Sequence, residues 1–582
     1  MRGVSFTPNL LNRLLNAVCD PHRNNRPHLG HVDFRRASFS KGVKFYNTLF
    51  SGSADFSQTS FSGETDFNRT LFSGFAQFIK ASFSGSTSFN GTSFSWGADF
   101  TKASFSKYAS FTGASFLKNT FFTDVSFSGD IHFNKASFSG DANFNRTLFS
   151  RDSNFAETSF SGETYFIGAS FSGHAEFYAA SFFGGAHFDT TSFSTDSSFT
   201  GASFYEIASF ERASFSGHSN FDRTLFFNGA HFNKASFSKE VTWTRCRIST
   251  LSLDEAIAEK EMRVEAVADQ VSARRMRAVE RVTLRLRSAR VDLTELVCSG
   301  AASVHALAQP IPNVPDLEDR PAKVAVTSLR GADVESLTLT DVDLSECTFA
   351  GMHRVDQIQL DGDCTFASGP GRRRMLAEEH HWQAQRHVER RGHPSCWHLA
   401  PAGVEVLGPR RIEVIYRQLR KALEEGKNEP GAADFYYGEM QMRRAAARSA
   451  DRLLLWLYWA VSGYGLRARR ALVWVLVVAV LSIAGMTAFG FPQNAKAQKA
   501  TGTIVTPAGP QAVTLTIRQD DPAKNLPERL EKAVEVTVNA VIFRSPDTEL
   551  TTAGRYLNIV VRILGPILLG LAILAIRNQV KR

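Results

Sequence analysis

One residue type recurs with a period that neither a helix nor a simple alternating strand can use. Phe34, Phe39, Phe45, Phe50, Phe56, Phe61, Phe67, Phe72, Phe78 and Phe83 open a series whose spacing alternates five and six, unbroken as far as Trp243. The series holds 39 positions, 38 of them Phe, over 209 residues, or nineteen units of eleven. Of the 49 Phe in the chain, 42 lie between Phe34 and Phe237. A helix with 3.6 residues per turn would smear such a pattern around its whole circumference, and a period of two also fails. A solenoid fits. Each five- or six-residue segment forms one short side, turns a corner and points one large residue inward. Two residues before each central aromatic stands Ala, Ser, Thr or Val, Ile131 being the exception, so a small group fits where the interior is crowded.

This pattern, typified by ASFSGSTSFNGT from Ala81, resembles the pentapeptide-repeat family in a Phe-rich variant with one residue added to alternate sides. The resemblance implies a mainly β fold, a right-handed quadrilateral β-helix of four sides and 22 residues per coil. With strand layers about 4.8 Å apart, the Phe series would make roughly nine to ten coils and a rod on the order of 45 Å long. Some relatives are acidic rods that imitate DNA and bind topoisomerases. Here His31–Trp243 carries 16 Lys plus Arg against 18 Asp plus Glu, with signs interspersed. A phosphate mimic needs a dense face of one sign, so no nucleic-acid role is expected.

The rest of the chain is read in blocks. Residues 1–30 are expected to cap the rod and residues 31–245 to form it. Leu251–Val282, rich in Ala, Glu and Arg at helix-compatible spacings, predicts a helical connector over 246–281. Leu329, Val334, Leu339, Leu344 and Phe349 recur every five residues, as do Leu286, Val291 and Leu296, so a second, shorter β-helical unit is expected over 282–367. The Pro-rich, acidic stretch Gln309–Pro321 between them reads as a loop. Residues 368–450 begin with a basic segment, Gly371–Arg374. A His-rich stretch follows, with Glu378, Glu379, His380, His381, His387, His393, Cys396 and His398, where only the last three cluster as zinc ligands do. A polar helix and loop is the reading adopted, with a metal site as the alternative. Ile412–Arg444 resembles a helical hairpin found ahead of membrane segments in large bacterial, often actinobacterial, pentapeptide-repeat proteins.

Residues 451–582 read as a membrane domain. Ala471–Phe491 has no charge over 21 residues, and Tyr556–Ile576 has the same length with only Arg562 and Pro566 breaking its apolar run. Leu453–Val461 is too short to cross and suits the interface. Arg443, Arg444, Arg448, Arg452, Arg467, Arg469 and Arg470 precede the first span, and Arg577, Lys581 and Arg582 follow the second. Flanking positive charge therefore predicts a two-span protein of the cell membrane with both termini cytoplasmic and residues 492–555 external. The region resembles a two-helix channel module with a pore-helix-like piece, Leu526–Phe543. Where a filter should follow stands Arg544–Thr548, with no Gly-rich carbonyl ladder. Val461–Gly465 echoes a filter but reads as a turn.

Six Cys over 582 residues argue against a disulfide scaffold, and Met1–Arg36 lacks the apolar core of a cleaved secretion signal. No HExxH, no argued Ser–His–Asp order and no phosphate loop is present. The expectation is a membrane-anchored cytoplasmic scaffold without catalytic, cofactor-binding or metal-ligating residues. Its partners would be the lipid bilayer, an unidentified protein on the rod surface and, in an oligomeric channel-like or sensor alternative, further copies of itself.

Overall fold

The computed structural model describes residues 1–20, 26–314, 322–369, 373–391, 393–394, 396–492, 497–507, 509–518, 526–542 and 550–580. Two compact units emerge: Met1–Leu407 with Lys421–Gly426, and Gly408–Arg420 with Lys427–Arg582.

The first unit is a parallel β-solenoid of about 15 turns. Two-residue strands pair in register with the strand one coil later, as in Ser38↔Ser60, Ser60↔Ser82 and Ser82↔Ser104, which is the 22-residue coil expected from the period. The central rings are buried and stack along the axis. Phe61 and Phe83 are 4.7 Å apart and 1° from parallel, while Phe83 meets Phe89 of its own coil edge to face at 79°. Both arrangements suit the ring quadrupole. At several corners the buried small residue is a Thr whose hydroxyl donates to a Phe carbonyl 25 residues back, as from Thr59 to Phe34 and from Thr92 to Phe67, each at 2.8 Å. The crowded corner thus keeps no unpaired hydroxyl at these sites.

Every second corner places a residue in the left-handed region, eleven residues apart: Arg36, Asn47, Gln58, Arg69 and Lys80, with φ between 54° and 57°. These long polar side chains point outward and tolerate a conformation usually left to glycine. Other corners need glycine for space. A Cβ on Gly217 would lie 2.2 Å from the carbonyl carbon of Thr195 in the coil below. Gly217→Val should therefore destabilise the solenoid by about 1–3 kcal/mol through overpacking against fixed backbone, read as a lowered thermal midpoint. An unchanged midpoint would show that the coils can separate at no cost.

The rod begins earlier than its Phe series. Ser5–Phe6 already pairs with Ser38–Phe39, and Phe6 stacks on Phe39 at 5.1 Å. Between them, helix α1 (Pro8–Ala17) starts at Thr7, whose hydroxyl accepts the Leu10 N–H, and buries Leu11 and Leu15. The expected cap over 1–30 is thus an incomplete coil carrying a helix.

Two expectations are corrected downstream. Residues 246–281 are not a helical connector. Val241–Ser252 and Met262–Ser272 are long strands, paired with each other and onward to Val282–Arg287. The coil shortens there, from Trp243↔Val264 to Cys246↔Ala266 across a register shift, and then repeats every 20 residues. Charges that mimicked helical spacing instead pair between coils: Lys260 with Glu280 at 2.6 Å, Arg275 with Glu295 at 2.8 Å and Arg285 with Glu265 at 3.0 Å. Nor is 282–367 a separate β-helical unit, because its strands belong to the same 51-stranded sheet. Part of the Gln309–Pro321 loop lies outside the described residues.

The second unit is largely helical. Helices α3 (Pro409–Glu425) and α4 (Glu429–Ala446) form the hairpin expected over Ile412–Arg444, Tyr416 packing on Phe435 at 5.5 Å and tightly against Gly438. Helix α5 (Ser449–Ser462) exposes Leu453, Leu454, Trp456 and Leu457. Val461–Gly465 ends α5 in a turn, with Gly463, Tyr464 and Gly465 all at positive φ. Two helices are long and apolar enough to cross a membrane: α6, continuing to Gly490 from Ala468, and α8 over Thr552–Arg577 of Thr552–Val580. Only 11% and 28% of their apolar windows are buried, unlike the core helices of a soluble protein. Residues 492–555 are more than a loop. Ala497–Thr506 and Gly509–Arg518 form an antiparallel hairpin, and α7 (Leu526–Val541) packs on both long helices. Arg544–Thr548 lie outside the described residues.

Candidate functional site

The solenoid turns its aromatic residues inward almost everywhere, so an outward column is informative. Phe183, Tyr205 and Phe227 occupy one corner of three consecutive coils and are 36–47% exposed. Their rings stack at 4.7 and 5.0 Å, and the Arg247 guanidinium lies 5.3 Å from the Phe227 centroid. Exposed Ile207 follows in the same coil as Tyr205. A contiguous patch of stacked, outward-facing rings is the usual mark of a docking site.

The other feature is at the C-terminal end of the solenoid. On alternate sides of the regular coils the central residue's N–H donates to the next coil, as from Phe122 to the Asn143 carbonyl at 2.7 Å, and Leu344 does the same to Thr365 at 2.7 Å. For Phe349 the acceptor is instead the Glu378 side chain, from the first turn of α2 (Ala377–Arg391). Glu378 is buried beside the Cys347 thiol, and burial lifts its carboxyl to about 7 while the amide contacts of Phe349 and Ala350 oppose the shift. The same burial pushes the Cys347 thiol well up. Glu379, its neighbour, turns the other way into an ion pair with Arg373 at 2.7 Å.

From this cap, α2 and the loop 398–404 line a cleft of about 820 Å³ against the last coils. Three of its guanidiniums are spoken for: Arg274 by Asp292, Arg275 by Glu295 and Arg290 by Glu346, at 2.7, 2.8 and 2.6 Å. Ser328 ties the floor together, bonding Thr294 at 2.8 Å and Thr348 at 3.3 Å. On the opposite wall the rings of His380 and His398 stack 5.1 Å apart at 15°, with Trp397 edge-on to His380.

The His-rich stretch is therefore dispersed. Glu378 caps the core, Glu379 is ion-paired, and His380, His381 and His398 line the cleft. His387 bonds the Gln383 carbonyl through Nδ1 at 2.9 Å, and Cys396 is exposed. Among the described residues no group of three His, Cys, Asp or Glu is placed to hold a metal ion. Stacked, nearly parallel imidazoles also aim their nitrogens side by side rather than at one point, which a tetrahedral ion cannot use. The Phe183–Phe227 column was not singled out from sequence, and Glu378 was named there only as part of the His-rich stretch. The column does carry a signal there, an aromatic directly after the central Phe at 22-residue intervals.

The family profile of pentapeptide repeats (9 copies) matches residues 25–71, 67–115, 100–148 and 199–247. The chain carries pentapeptide repeats. Those matches fall on the Phe-cored coils, and the solenoid continues past them through Ala- and Val-cored coils. No curated protein matches the chain, and no solved structure matches it.

Proposed function

We propose that this chain is a non-catalytic scaffold, anchored in the cell membrane by α6 and α8 with its solenoid and both termini in the cytoplasm, and that a protein partner docks on the solenoid. The observation that carries the docking reading is the exposed column of Phe183, Tyr205 and Phe227, three outward rings stacked on one another over consecutive coils. Anchoring is supported by the two exposed apolar helices and by the arginines ahead of the first. Arg444 and Arg470 both lie over the Trp459 ring, at 4.7 and 5.0 Å, a cationic and aromatic cluster suited to headgroup depth. A photo-crosslinking residue at 205, in cells, should give a discrete protein adduct. Position 216, half a coil away, should not. Equal labelling at both positions, or none at either, would refute a dedicated docking face.

One observation favours a second reading, an oligomeric channel-like or sensor protein. Helix α7 leans on both candidate spans: the hydroxyls of Thr537 and Ser482 are 2.9 Å apart, and Val541 sits against Gly565, midway along α8. Its outer stripe of Leu526, Leu530, Val534, Val538 and Ile542 is exposed and apolar, as a seam between copies would be. Reconstitution into liposomes tests it. Ion flux under voltage supports a pore, and its absence across varied voltage and ligands removes the reading.

A further inference from the structure

We propose that the cleft at the C-terminal end of the solenoid is a binding site for a small amphipathic monocarboxylate, seated with its acid group at Arg330 and its apolar body along the loop 398–404. The volume of about 820 Å³ falls within the span of small-molecule sites. Three observations select the chemistry. Arg330 is the one lining guanidinium that makes no ion pair among the described residues, its three counterparts being held by carboxylates of the same walls. His380 also lines the cleft. It is 3% exposed, and its ring nitrogens complete no hydrogen bond by geometry among the described residues, with the Ser368 backbone nearby as an acceptor. A buried imidazole left so is costly, and a ligand oxygen would relieve it. Leu399, Pro401, Ala402 and Val404 supply an apolar wall beside the His380–His398 stack.

Charge then sets the limit. The lining holds Asp254, Glu255, Asp292, Glu295 and Glu346 against four arginines; Asp254 accepts from the Ser272 hydroxyl and the Arg274 N–H and Glu255 pairs with Lys234, so one negative charge finds a counter-ion at Arg330 and further charges meet carboxylates. Polyphosphates are disfavoured on that ground, and a cationic ligand would face the unpaired guanidinium. Burial and the neighbouring His398 hold the His380 imidazole below its ordinary value, which keeps it neutral and able both to donate and to accept.

The test is isothermal titration calorimetry of the full chain in lipid nanodiscs with three probes: 4-phenylbutyrate, its amine analogue 4-phenylbutylamine, and ATP. Saturable binding is expected for the carboxylate alone. Arg330→Ala should weaken it at least ~10-fold, the loss of one charge-assisted contact. Ala402→Trp, which fills the cleft from the exposed loop without touching Arg330, should abolish it, and His380→Phe should weaken it while keeping the ring stack. If Arg330→Ala fails to fold, judged by its far-ultraviolet spectrum, Ala402→Trp decides. The proposal is overturned if 4-phenylbutyrate gives no saturable heat to millimolar concentration, if the heat persists in the variants, or if the amine or ATP binds as tightly.

Discussion

Phe122→Ala should cost the solenoid about 3–5 kcal/mol, the range for truncating a buried aromatic. Phe122 is stacked between Phe100 and Phe144 at 4.8 and 4.9 Å, edge-on to Phe111 and Phe133, and fully buried. Collapse around the vacancy is hindered, because every neighbouring ring hangs from a backbone ladder hydrogen-bonded to the coils on either side, such as Phe122 N–H to Asn143 and Phe144 N–H to Tyr165. A solenoid passes stress mainly to its nearest coils. Hydrogen exchange of the full chain should therefore show faster local opening around residues 100–144, with coils beyond Phe188 little changed. Phe122→Leu, which keeps most of the volume, should cost far less. Uniform loss of protection along the whole rod would mean that the coils fold as one cooperative block.

Glu378 should make the end of the solenoid weaken as pH rises. Its carboxyl is raised from 4.5 to about 7 in the folded chain, so the folded state holds a proton that the unfolded state has released between those values. Stability from this group is fully present below about pH 4.5 and is lost as pH climbs through 7, on the order of 3 kcal/mol in all. Exchange at the Phe349 and Ala350 amides, corrected for intrinsic rate, should quicken between pH 5 and 8. Glu378→Gln keeps an acceptor for the Phe349 N–H without the titration and should flatten that dependence. A profile unchanged by the substitution would place the pH sensitivity elsewhere.

Legibility in the sequence followed the size of the core residue. Phe at 34 to 237 announces its own period, because only an inward position on each side explains a large ring every five or six residues. Past Trp243 the core turns to Ala256, Ala258, Ala266 and Ala268, all buried. Alanine is equally at home in a helix, and with Glu and Arg at helical spacings the local pattern favoured the wrong element. What decided it was non-local, a partner 20 residues away on the next coil. The two long apolar helices were legible for the opposite reason, length and lack of charge being local properties, and α6 through Gly490 covers most of the expected 471–491. Glu378 and Glu379 are adjacent and chemically alike, so nothing in the sequence separates the one that ends the core from the one that pairs with Arg373. The cleft draws on several coils and a distant loop, a set that no contiguous motif could reveal.

In-register pairing of coil on coil has an evolutionary corollary. Because Ser60 pairs with Ser82 as Ser82 does with Ser104, excising one 22-residue turn would join two surfaces that already match, leaving everything downstream at the same azimuth on a shorter rod. Removing eleven residues would preserve the Phe series yet swing the remainder through half a revolution, carrying the Tyr205 column to the far side. Length can thus drift by whole turns through gene slippage, while the bearing of any attached partner is conserved only in steps of two units.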